Sequence, residues 1–136
     1  MKRMTQSAAF VAALMLVGCT AMQPTTTKSV SFVEPKDGAT VTSPFKVVFA
    51  VSGMALEPAG EIKPDSGHHH LLIGLGPMPA GEAIPVDATH LHFGKAQTDA
   101  EVTLQPGKYK LTMQYANGAH VSYGPAMAAT INITVK

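Results

Sequence analysis

Lys108-Tyr109-Lys110-Leu111-Thr112-Met113-Gln114-Tyr115 places an apolar or aromatic side chain at every second position, with Lys, Lys, Thr and Gln between them. Period two is the mark of a strand with one buried face. The same alternation returns at Ile131, Ile133 and Val135, set against Thr130, Asn132 and Thr134, and more briefly at Val102 and Leu104. Phe45 to Val51 is a strand-forming run bounded by Pro44 and Gly53, and Leu71 to Leu75 is a second apolar run. Val30, Phe32 and Val33 precede Pro35 and the turn pair Asp37-Gly38. No segment of this region carries a helical apolar stripe. Seven or eight short strands with Gly and Pro between them predict an all-β fold, an antiparallel immunoglobulin-like β-sandwich. Leu104-Gln105-Pro106-Gly107-Lys108-Tyr109 sharpens this, because a Tyr opening a strand after such a turn fits the tyrosine corner of those sandwiches.

The sandwich is expected over residues 29–136. Ahead of it, Met1-Lys2-Arg3 is a basic start and Ala8 to Gly18 is an apolar run of signal-peptide length, too short to span a bilayer comfortably. The run ends in Leu16-Val17-Gly18-Cys19, which resembles the lipobox of bacterial lipoproteins. That likeness implies cleavage before Cys19, lipidation of Cys19, and a place in the bacterial envelope, lipid-anchored at the outer membrane and facing the periplasm. Residues 20–28 are polar and Thr-rich and read as a tether. Cys19 is the single cysteine, so the domain has neither a disulfide nor a thiolate ligand. Without Lys2 and Arg3, eight basic residues face nine acidic ones, a net charge of −1. Nothing in that balance suggests nucleic acid, and membrane contact is expected from the lipid anchor alone.

The chemistry-bearing residues are histidines. The chain has six, five of them in Gly67-His68-His69-His70 and His90-Leu91-His92-Phe93. Neutral imidazole is the commonest protein ligand for transition metals. With Leu91 and Phe93 facing the core, His90 and His92 share the opposite face at about 6.5–7 Å, close enough to converge on one ion. With Leu71, Ile73 and Leu75 inward, His69 joins them and His68 and His70 face out. The opposite parity, with Leu72 in the core, brings His69 to the surface. A metal site is therefore expected at His68, His70, His90 and His92, with His69 and His120 as secondary candidates and copper or zinc as the ion. His120 follows Asn117-Gly118 and reads first as a solvated loop residue. Met54 and Met78 lie in two thirteen-residue connections, Met54 to Ser66 and Gly76 to Ala88, and could add thioether ligands. The competing use of the clusters is structural, with imidazoles bonded to carbonyls and loop carboxylates.

No Gly-x-Ser-x-Gly elbow, phosphate-binding Gly loop or His-Glu-x-x-His pattern is present, and an enzyme is not expected. A metal-dependent redox enzyme is one further possibility and requires an open coordination position. The other alternative is a non-catalytic envelope module that grips a protein or glycan with its His-rich end.

Gly67-His68-His69-His70-Leu71-Leu72-Ile73, then His92-Phe93-Gly94 with Gln97-Thr98, Leu104-x-Pro106-Gly107, and His120 with Gly124-Pro125 resemble a bacterial envelope family numbered 4399 among domains of unknown function. The likeness spans about residues 45 to 135. Gly74 stands where the pattern has an acidic residue, and Lys95-Ala96 where it has a glycine pair. The resemblance implies fold and location, and no activity. His90-Leu91-His92 is also similar to the His-x-His of copper-handling sandwiches such as copper–zinc superoxide dismutases, whose cysteine pair is missing here.

Overall fold

The structure is a computed structural model that describes residues 25–136. The expected signal segment, Cys19 and most of the tether lie outside those residues. The strands are β1 (Ser29–Glu34), β2 (Thr40–Val41), β3 (Phe45–Ser52), β4 (Ala55–Leu56), β5 (Ser66–Ile73), β6 (His90–Phe93), β7 (Asp99–Val102), β8 (Gly107–Ala116) and β9 (Ala128–Val135). One 3-10 turn, Pro125–Met127, precedes β9. Among the described residues no helix is long and apolar enough to cross a membrane.

The strands form two sheets, as the alternation predicts. One has the order β1-β3-β7. The other has the order β2-β9-β8-β5, with β6 alongside His69 to Leu72 of β5 and β4 beside its first residues. The long ladders are antiparallel, and the two-residue strands β2 and β4 pair parallel. Phe45, Val47 and Phe49 of the first sheet pack against Leu71, Leu111, Met113, Tyr115, Ile131 and Ile133 of the second. These are the alternating positions read from the sequence. The tyrosine corner is present: Tyr109 Oη donates to the carbonyl of Gln105 at 3.0 Å.

The outer face of the second sheet departs from expectation. Its polar residues should meet solvent, yet Thr112 and Gln114 are wholly buried. The connection after β5 folds back across this face. Ile84 sits over Leu72 and Ala116, with Met78 packed beside them, as a second small core. The covered side chains bond the backbone that covers them. Thr112 Oγ1 donates to the Leu75 carbonyl at 2.7 Å, and the Met78 amide donates to Gln114 Oε1 at 2.9 Å. Gln114 Nε2 reaches the carbonyl of Gly124 at 3.0 Å. A short ladder, Ile84 amide to His120 carbonyl and Ser122 amide to Glu82 carbonyl, both 2.8 Å, joins this roof to the turn after β8. Thr112 and Gln114 thus serve as internal partners for a buried loop backbone, which must be hydrogen-bonded somewhere.

Candidate metal centre

The roof and the sheet enclose four imidazoles. β5 supplies His68 and His70, two residues apart and so on one face. β6 runs antiparallel to it, and His92 lies directly opposite His70. His120 enters from the turn after β8. Asn117 builds that turn, its Oδ1 accepting the amides of Ala119 and Val121, both at 3.0 Å. His120 holds a left-handed φ of 63°, which costs a non-glycine residue about 1–2 kcal/mol. The fold sustains that conformation at a residue whose ring faces three others.

The ring centroids lie 4.9 Å apart for His68 and His70, 5.0 Å for His68 and His92, and 5.1 Å for His70 and His92. The His120 ring lies 5.1, 5.6 and 4.5 Å from those of His68, His70 and His92. One potential ligand atom from each of the four falls within 4.8 Å of all the others. His68 Nε2 and His70 Nε2 are 3.1 Å apart. Four nitrogens around a tetrahedral zinc-sized ion are spaced about 3.3 Å, so any pair of rings needs to draw together by about 1.5 Å at most.

Gly94 makes room for one ligand. A Cβ there would stand 2.2 Å from His92 Cε1 and 2.3 Å from His92 Nε2. Any side chain at this position displaces the ring.

Three of the four rings are held against protonation. Burial, together with the charge that His92 and His120 would carry, pushes the His68 imidazole down to about 4. Burial and the neighbouring imidazoles push His70 down to about 3, and burial and His120 lower His92. The His68, His70 and His92 rings therefore each keep a lone pair at neutral pH. His68 Nδ1, His70 Nδ1, His92 Nε2 and His120 Nδ1 are buried without a hydrogen-bond partner among the protein's groups. The structural use of the clusters called for bonds to carbonyls and carboxylates, and the four rings do not make them. A buried nitrogen without a partner costs about 1–3 kcal/mol, and an ion offsets that cost only at the nitrogen it binds.

The expected residues divide three ways. His68, His70 and His92 come together. They are not outward in the sense of meeting solvent, because the roof buries the first two completely. His120 corrects the reading of a solvated loop residue: tertiary contacts between the turn and the roof aim it inward, and spacing along the chain cannot show those. His90 shares the face but stands aside, its Nδ1 2.9 Å from Asp87 Oδ1. That bond, with bonds from Thr89, holds the Asp87 carboxyl down at about 2.

His69 lies on the other face, as the inward parity required. It is fully buried between Phe49 and Tyr115, at centroid distances of 5.2 and 5.1 Å, with both ring nitrogens unpartnered. The methionines pack as hydrocarbon, Met54 against the main core and Met78 against the small one. Gln114 and Gly94 escaped the sequence reading as site-forming residues. Gly94 following His92-Phe93 was the available signal for the second.

Over residues 47–136, more than half its length, the chain matches the family described as Domain of unknown function (DUF4399), and it belongs to that family. No curated protein and no solved structure matches it.

Proposed function

We propose that this member of the family binds one transition-metal ion, copper or zinc, through His68, His70, His92 and His120, and holds or passes that ion in the bacterial envelope. The observation that carries the reading is the convergence of four imidazoles, two of them fully buried, with one nitrogen of each within 4.8 Å of the others. Four nitrogen donors and no thiolate suit Zn(II) and Cu(II). A closed set of four protein ligands leaves no position for substrate, which favours holding over catalysis.

The test is a titration of the untagged protein with Zn(II), Cu(II) and Cu(I). One equivalent should bind with a dissociation constant well below about 1 μM. His92→Ala should weaken that binding by about tenfold or more. Micromolar or weaker binding that is unchanged in His68→Ala and His92→Ala overturns the proposal.

The location belongs to the same proposal and rests on the basic start, the apolar run and the Leu-Val-Gly-Cys box. Lipid labelling of the wild type that disappears in Cys19→Ser supports it. A wild-type protein that takes no lipid label contradicts it.

The second reading, a module that grips an envelope protein or glycan, has one observation in its favour. Ile62 and Val86, 61% and 66% exposed, project from the two long connections. Capture of a partner that survives chelator but is lost in the double variant Ile62→Ser, Val86→Ser favours that reading.

A further inference from the structure

A fifth imidazole stands at the rim of the four. His90 lies opposite Leu72 and two positions along β6 from His92, on the same face. Its charge, when protonated, is felt at His70. The side chain is 14% exposed, whereas His68 and His70 have no exposure at all.

Asp87 fixes this ring with unusual completeness. Its Oδ1 accepts from the Thr89 amide and the Thr89 hydroxyl, both at 2.8 Å, and from the His90 amide at 2.9 Å. The same oxygen accepts His90 Nδ1, also at 2.9 Å. A proton shared at Nδ1 leaves the lone pair on Nε2. A carboxylate behind an imidazole also makes that nitrogen a stronger donor, as in many metal-bound histidines. The pair is thus a prepared single ligand with a negative charge behind it, placed where solvent can reach it.

Resting on the four-histidine reading, we propose that His90, held by Asp87, is the transit ligand of this centre: it captures a hydrated divalent transition-metal ion at the rim and hands it to His70 and His92. The inner set lies under the roof, with His68 and His70 fully buried, so an ion must lose its waters before entering. Exchange of one water for His90 Nε2, then of others for the inner rings, divides that cost into steps. The Asp87 carboxylate attracts the ion at the rim, and the inner set includes no carboxylate of its own. Release follows the same path outward, so the pair sets rates in both directions and leaves the final affinity to the inner four.

The chain has three tyrosines and no tryptophan, and bound Cu(II) should quench tyrosine fluorescence. Stopped-flow mixing of the full protein with Cu(II), followed by chelator, reads loading and release. His90→Gln should slow both by about tenfold or more and change the dissociation constant by less than about threefold. Asp87→Asn keeps an oxygen acceptor for the turn and removes the charge, and it should slow loading at unchanged affinity. Circular dichroism establishes that both variants are folded. Wild-type rates in folded His90→Gln overturn the transit role and leave the four-histidine site standing. An affinity loss in His90→Gln as large as that in His92→Ala also overturns it, by making His90 a resident ligand. No saturable binding by the wild type removes both proposals.

Discussion

His69 and His120 carry opposite lessons at the scale of the residue. His69 buries two unpartnered nitrogens in the apolar core, between an aromatic ring on each side. Replacement with leucine removes that desolvation cost and keeps apolar contacts, so His69→Leu should raise stability by about 1–3 kcal/mol in urea unfolding. A loss of stability would mean that the ring has a bonding role in the core. Its parity was legible as one of two choices, because Leu71 and Leu72 are both apolar and both end up buried. His120 was not legible. Its ring reaches the cluster through a left-handed backbone and a turn shaped by the Asn117 side chain. Gly94 belongs with it. Gly94→Ala should leave the fold intact but push the His92 ring aside, weakening metal binding by about tenfold or more. Unchanged Zn(II) affinity in Gly94→Ala would show that the His92 ring has room elsewhere.

Between β8 and the roof, the element scale explains why two polar strand residues are buried. Alternation along β8 identifies which side chains face away from the core. It says nothing of what lies beyond them, because the long connection that covers them has no period of its own. Gln114 is the central fastener, bonded to Met78 on one side and Gly124 on the other. Gln114→Leu leaves those backbone groups unpaired and should cost about 2–4 kcal/mol. Hydrogen exchange should then quicken at the amides of Met78, Gly81 and Ser122, with β3 and β9 unaffected. Exchange that quickens equally across both sheets would show instead that Gln114 holds the whole sandwich.

For the whole molecule, histidine burial sets the dependence on pH. In the folded chain His68 and His69 titrate at about 4 and His70 at about 3, against 6.5 in the unfolded chain. Between those values the unfolded chain takes up protons that the folded chain refuses. Stability of the metal-free protein should therefore be level above pH 6.5 and fall as the pH drops toward 4. Each buried imidazole contributes on the order of 1 kcal/mol per pH unit. Urea midpoints measured from pH 8 to pH 4 check this, and a midpoint that stays constant below pH 6.5 would contradict the burial. Bound metal acts the other way. Zn(II) at one hundred times its dissociation constant should stabilise the fold by about 2.7 kcal/mol, reversed by chelator.

The central claim is that four imidazoles surround one ion. X-ray absorption at the zinc edge of the untagged, zinc-loaded protein tests it most directly. Four nitrogen neighbours at about 2.0–2.1 Å, with the outer-shell scattering of four imidazole rings, are the expected result. A shell dominated by oxygen, or one with a single imidazole, would contradict the account.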